Sequence, residues 1–362
     1  MTPLYIGLMS GTSLDGIDAV LVDLSSRPRL VASHHLPFPG KLRRDLIRLS
    51  AADKNELERA AFAGAGLSQL YAEAIRLLLG GARVAARRVA AIGCHGQTVR
   101  HRPDLGYTVQ LANAALLAEI AGISVVADFR SRDIAAGGEG APLVPAFHAA
   151  CFRDRGRQRA IVNIGGIANV TLLPPKGPVR GFDTGPGNLL LDAWVARHRR
   201  RDYDDNGRWA HSGTVERKLL QRMLANEFFR RSPPKSTGRE RFNPAWLETF
   251  AVARLAPRDV QATLAELTAC SIATAIRRFA PATQEVYVCG GGAHNGDLLD
   301  RLRADLKGME VESSQRLGIH PDWVEAMAFA WLAKQAIDGR PGNVPEVTGA
   351  RGPRVLGAIY PA

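Results

Sequence analysis

The pattern that most restricts the fold is a strand, a glycine turn and a second strand, occurring twice. Residues 5–9 lead through SGTSLDGID into the apolar run 19–24, and residues 160–164 lead through Gly165 and Gly166 into 168–173. Short apolar runs bounded by glycine-rich turns predict hairpins. In the first part the spacing then predicts a helix over 57–79, a strand over 89–94 ending in the loop HGQTVRH, a helix over 112–121 and a strand over 123–127. In the second part it predicts a strand over 179–182 running into DTGPGN, a strand over 286–289 ending in GGGAHN, and helices from 189 and over 260–279, 297–306 and 324–337. Strands alternating with helices predict an α/β protein. The repetition reads as a weak internal duplication whose halves meet near residues 130–140. Two lobes around a cleft would gather strand-end loops, where α/β sheets bind ligands.

Composition narrows the function classes. With 362 residues and 46% apolar content the chain supports a large core, and its 23% charged content is ordinary for a globular protein. The formal charge of +12 raises nucleic acid or an anionic membrane as partners. The arginines are scattered through helix-like segments, however, and the densest run, Arg197 to Arg201, follows a leucine-rich helix whose C-terminal dipole it would complement. Without the aromatic interleaving of single-strand binders, neither nucleic acid nor membrane is expected as a partner. The four cysteines, Cys94, Cys151, Cys270 and Cys289, lie far apart and form no metal-type pair, so free thiols are expected. No signal peptide is visible, and the apolar stretch 111–127 is broken by Asn113, Glu119 and Gly122, which predicts a cytoplasmic protein.

Three glycine loops carry the chemistry. Gly11 and Gly16 have the spacing that opens a P-loop, but Ile17 and Asp18 stand where that loop needs lysine and a hydroxyl residue. A different use of the loop fits: Ser10, Thr12 and Ser13 offer hydroxyls, glycine amides approach an anion, and Asp15 or Asp18 holds magnesium, directly or through water. A polar hairpin turn explains the same residues equally well. Gly165 and Gly166 form a second such turn, and Gly290, Gly291 and Gly292 let a ligand approach a sheet edge. Each loop taken alone also reads as a plain turn.

In this order the three resemble the two phosphate loops and the adenosine loop of the actin, hexokinase and Hsp70 superfamily. The likeness then sharpens. MSGTSLDGID, CHGQTVRH, the DFR at Asp128 to Arg130, GGEGAPLVP, NIGGIANVT, GFDTGPGN, KSTGRERFN, GGGAHN and EAMAFAWLA together resemble the anhydro-N-acetylmuramic acid kinase family, in order along essentially the whole chain. The resemblance implies a two-lobed, ribonuclease H-like α/β fold with a cleft, divided as 1–130 plus about 340–362 and 131–339. It implies ATP and Mg2+ as cofactors, a small-molecule sugar substrate, and a homodimer. The implied reaction takes 1,6-anhydro-N-acetylmuramic acid, ATP and water to N-acetylmuramic acid 6-phosphate and ADP, in the recycling of bacterial peptidoglycan.

Specific residues follow from the matched motifs. ATP would meet Gly11, Thr12, Ser13, Leu14, Asp15, Gly16, Ile17 and Asp18, then Gly165 and Gly166, then Gly290 to Gly292. Asp183, expected at a strand end, is the implied general base; as bare sequence it also reads as a turn or helix-cap aspartate. Glu325 sits three residues after Asp322 in a capping-box pattern, and a second role orienting water or contacting sugar stays open. Thr98 and Arg130 are implied sugar contacts, since a guanidinium matches the substrate's lactyl carboxylate in a forked pair. His95 and His101 read as structural histidines. KSTGRERFN is either a substrate loop or part of a dimer contact. The alternatives retained are a related kinase for another sugar or small acid, and an ATP-gated nucleic-acid-binding protein.

Overall fold

A computed structural model describes residues 2–11 and 14–362. The chain divides into two compact units, Met1–Cys151 with Trp323–Ala362, and Phe152–Asp322. Each is built on a mixed sheet.

In the first unit the strands are β1 (Leu4–Met9), β2 (Gly16–Asp23), β3 (Arg29–Pro37), β4 (Val89–Cys94), a separate hairpin of β5 (Gln97–Arg102) and β6 (Tyr107–Leu111), and β7 (Val125–Ala127). The main sheet runs β3-β2-β1-β4-β7 and is closed at its end by Ala358–Tyr360. β1 is antiparallel to β2 and parallel to β4, so a hairpin opens the sheet and crossovers extend it. Every residue of β1 is buried, as a strand covered on both faces requires. Leu4, Ile6 and Leu8 pack with Leu67, Tyr71, Ile75 and Leu78 of the helix Glu56–Ala82. Fully burying side chains of this size is worth about 1.5–3 kcal/mol each.

The other face takes the helix Val324–Ile337, which needs strands almost without side chains beneath it. A Cβ on Gly7 would stand 1.8 Å from Ala326 O, and one on Gly93 would stand 2.0 Å from Phe329 O. This packing moves the division of the chain away from its expected place. The helix belongs to the first unit, not the second, and residues 131–151 join it there, so the expected 130 and 339 become 151 and 322.

The second unit repeats the plan with β8 (Arg159–Ile164), β9 (Ile167–Leu173), β10 (Arg180–Pro186), β11 (Glu285–Cys289) and β12 (Glu310–Ser313) in the order β10-β9-β8-β11-β12. β8 is antiparallel to β9 and parallel to β11, as β1 is to β2 and β4. Its sheet packs on the helices Pro257–Phe279 and Gly296–Asp305 through Ile272, Ile276, Leu298 and Leu302. The duplication expected from the two glycine hairpins is thus a duplication of strand order. None of the four cysteines is in a disulfide, and all but Cys270 are buried. Among the described residues no helix is long and apolar enough to cross a membrane.

Candidate active site

The first glycine loop leaves β1 at Ser10, which is buried and pinned by its hydroxyl to Tyr71 OH (2.8 Å) and Gly96 O (3.2 Å). Gly11 O accepts from Gln97 Nε2 (3.3 Å) and Leu14 N (3.3 Å). The loop is therefore tied to the CHGQT segment after β4, a link between two motifs that the sequence does not reveal. Thr12 and Ser13 lie outside the described residues. Leu14 is buried in the left-handed region at φ 56°, and Asp15 is exposed with Oδ1 accepting from Gly16 N at 2.9 Å.

The expected loop is too long at its far end. Gly16, Ile17 and Asp18 already belong to β2, with Asp18 opposite Met9 in the ladder. Ile17 has no exposed surface and packs in the core. Gly16 is required by packing, since a Cβ there would stand 2.5 Å from Leu36 O. Asp18 Oδ1 lies 2.7 Å from His35 Nδ1.

HGQTVRH, expected as a loop, is mostly strand β5. Its polar residues conceal a two-stranded hairpin with β6. Thr98 Oγ1 accepts from Gln110 Nε2 at 3.2 Å. Arg130 donates from Nε and Nη2 to His95 Nε2 (3.2 and 2.8 Å) and from Nη1 to Gly140 O (2.8 Å). Burial lowers its pKa to about 10 against the opposing pull of Glu325 and Asp133, so it stays charged at neutral pH. Burial, with the Arg130 charge beside it, holds His95 neutral well below the usual histidine range. Glu325 is thus an electrostatic neighbour of Arg130, on the first turn of the helix that crosses Gly7 and Gly93. The expected capping box does not form: that helix is capped by Trp323 without a side-chain hydrogen bond, and Asp322 instead meets His294 Nε2 at 2.7 Å.

In the second unit, Gly165 and Gly166 turn between β8 and β9. Their carbonyls accept from Asn188 N (2.8 Å) and from Gly187 N and Leu189 N (2.9 and 3.1 Å), fastening the turn to the start of the helix Asn188–Arg199. The third loop packs on the end of β8. A Cβ on Gly290, which has φ +74°, would stand 2.3 Å from Asn163 Oδ1, and one on Gly292 would stand 2.4 Å from Ile164 Cγ2. Those two glycines are thus demanded by the protein's own packing. Gly291 has only Asn188 Nδ2 near, at 3.5 Å.

Asp183 is not at a strand end. β10 continues to Pro186, and Asp183 sits at an irregularity of its pairing with β9, opposite Asn169. Its Oδ2 accepts from Thr237 N at 2.9 Å, and its own N–H donates to Lys235 O at 3.2 Å. Burial pushes its carboxyl up to about 7; Thr237 N–H and the Lys235 charge pull the other way, and Glu240 adds to the rise. A carboxylate that ionises near neutrality has the proton affinity a general base needs. Thr237 and Lys235 come from KSTGRERFN, whose role the sequence leaves open. Nothing in the sequence links positions 54 residues apart, and only the fold brings them together.

A family model described as anhydro-N-acetylmuramic acid kinase matches residues 3–362. Proteins of that name from Nitrosospira multiformis and Thiobacillus denitrificans are 56% and 54% identical to the chain. Each alignment covers 99% of this chain, and 99% and 97% of those proteins. Among solved structures, component A of the (R)-2-hydroxyglutaryl-CoA dehydratase of Acidaminococcus fermentans aligns with a TM-score of 0.50 at 12% identity, over 91% of this chain and 96% of that one. That likeness concerns the fold alone, and the two helix-covered sheets agree with the α/β class expected. With a family match over nearly every residue and relatives at more than half identity, the chain belongs to the anhydro-N-acetylmuramic acid kinase family.

Proposed function

We propose that this protein uses ATP and water to convert 1,6-anhydro-N-acetylmuramic acid into N-acetylmuramic acid 6-phosphate and ADP, a step of peptidoglycan recycling. A kinase of this family takes its phosphoryl group from ATP. The observation that carries the mechanism is Asp183, a half-buried carboxylate whose Oδ2 is held by Thr237 N–H and whose ionisation lies near 7.

Asp183 takes a proton from water, whose oxygen attacks the anomeric carbon. The bond from that carbon to the bridging oxygen breaks, and that oxygen receives the γ-phosphoryl group as ADP leaves. The proton then passes from Asp183 to solvent. Positioning and charge neutralisation do most of the work in such a transfer, with no covalent enzyme intermediate.

The other roles follow from the matched motifs. Gly11, Leu14 and Asp15 of the first unit and Gly165 and Gly166 of the second belong to the phosphate-loop motifs, and Gly290 to Gly292 to the adenosine-loop motif. Magnesium, which neutralises charge on the phosphates when bound, prefers hard oxygens at the water-rich edge of a site. Asp15, exposed after the first glycine turn, or Asp18, beside His35, would hold it, directly or through water. Arg130 keeps one N–H on each terminal nitrogen for the lactyl carboxylate, beyond those directed at His95 and Gly140. Thr98 accepts from Gln110 and so has its hydroxyl proton to donate to a sugar oxygen. Glu325, beside Arg130, orients water or sugar. A cytoplasmic location and a homodimer belong to the same reading.

A coupled assay of ADP release tests it. Release is expected to require the anhydro sugar and to be lost with D183N. Rapid ATP hydrolysis without sugar, or a faster reaction with an unrelated sugar or acid, would overturn it.

A further inference from the structure

The motif GGEGAPLVP follows Arg130 closely in the chain, and it is wrapped around a buried carboxylate. That group is Asp133, on the short helix Ser131–Ala135, which has no exposed surface. A buried carboxylate persists where donors meet its oxygens. Oδ1 accepts from Asn343 Nδ2 at 2.7 Å and from Thr348 Oγ1 at 2.8 Å, and Oδ2 accepts from Gly140 N at 2.9 Å. Asn343 is itself fixed: its Oδ1 accepts from Arg354 N at 2.7 Å, which turns Nδ2 towards Asp133.

The glycines of the motif serve this wrapping. A Cβ on Gly138 would stand 2.3 Å from Asp133 Oδ2, and Gly140, at φ +65°, would place one 2.8 Å from Ile134 Cγ1. The C-terminal segment braces the same turn. Glu139 N donates to Thr348 O at 2.7 Å, and Arg351 N donates to Ala136 O at 2.9 Å.

Gly140 links this carboxylate to the arginine. Its N–H is held by Asp133, and its carbonyl accepts from Arg130 Nη1 at 2.8 Å. His95 Nε2 takes the Nε and Nη2 side of the same guanidinium, so two acceptors fix its plane. The N–H groups left over, one on each terminal nitrogen, form the pair that a carboxylate meets in a fork, and a fork binds well only when its direction is held. We propose that Asp133 is a positioning residue for sugar recognition: through Gly140 it sets the angle at which Arg130 meets the substrate carboxylate, and through Asn343 and Thr348 it ties that angle to the C-terminal segment. This rests on Arg130 being a sugar contact.

The test is a double-mutant cycle on the dissociation constant of 1,6-anhydro-N-acetylmuramic acid. It is measured by NMR titration in wild type, D133N, R130Q and D133N/R130Q, with the ADP affinity of each and thermal melting to confirm folding. Asparagine keeps the shape but, with its oxygen on Asn343 and Thr348, turns an NH2 against Gly140 N–H and frees that residue. D133N is expected to weaken sugar binding about tenfold, the scale of a lost hydrogen bond to a charged group, with ADP affinity unchanged. In the R130Q background the same substitution is expected to change sugar affinity by less than about twofold. Should D133N fail to fold, T348V, which removes one donor and keeps the charge, takes its place in the cycle with an expected weakening of about threefold. An equal weakening with and without Arg130, or an equal loss of ADP affinity, would make Asp133 merely structural and overturn the proposal, as would unchanged sugar affinity in D133N. Wild-type sugar affinity in R130Q would instead remove Arg130 from the sugar site, and the positioning role with it.

Discussion

At the scale of single residues, Asp183 couples chemistry to stability. Its folded pKa of about 7 lies above the ordinary 3.8, so between about pH 4 and 7 the folded chain binds more protons than the unfolded one. Stability contributed by this group is present below the unfolded value and is lost as pH rises through the folded one. Above pH 7 the folded protein carries a carboxylate that burial disfavours. D183N should therefore lower turnover by about 10⁴-fold, the scale seen when a proton-handling group is lost. Nucleotide affinity should be retained, and the melting temperature should rise relative to wild type at pH 8, with the difference vanishing near pH 4. Melting curves across that range check this; a constant offset between the two proteins would contradict it. Gly11 carries a separate prediction. G11V should weaken ATP binding by tenfold or more by keeping the phosphates from the backbone, and unchanged affinity by calorimetry would place the phosphates elsewhere.

At the scale of elements, the crossing of the helix Val324–Ile337 over β1 and β4 depends on two missing side chains. G93A places a methyl 2.0 Å from Phe329 O, a clash with backbone that no rotamer relieves. Overpacking of this kind costs about 1–3 kcal/mol or more. A lowered urea midpoint with kcat/KM falling at the same time is expected, because Glu325 rides on that helix; an unchanged midpoint would contradict the packing.

The same elements show what the sequence makes legible. Apolar runs such as those of β1, β4, β8 and β11 are buried on both faces and stand out. β3 alternates half-buried and exposed residues and includes His34 and His35, so nothing marks it as a strand. β5 reads as a loop because its outward residues are Arg and His, and its pairing with β6 is a matter of backbone register. The glycine hairpins announce themselves, but where they end does not: Gly16 serves packing under Leu36, and Ile17 serves the core. Asp183 is singled out by its motif as the proposed base. The Lys235 and Thr237 contacts that set its properties cross a long stretch of chain and carry no local signal.

At the scale of the whole molecule, the formal charge of +12 keeps a rival reading in view. Several of the arginines are paired with acids: Arg301 spans Asp297 and Glu266, and Arg76, Arg102 and Arg303 each meet an acid two or three residues away. Binding to oligonucleotides at physiological salt should be weak and indifferent to ATP. Tight binding that falls steeply with salt and is gated by ATP would favour the rival. The account as a whole stands on one reaction, in which water and phosphate enter the same sugar. Incubation with ATP, magnesium and 1,6-anhydro-N-acetylmuramic acid, followed by mass spectrometry, is expected to show a sugar heavier by one phosphoryl group and one water. A sugar carrying the phosphoryl group alone, or left unchanged while ADP accumulates, would contradict it.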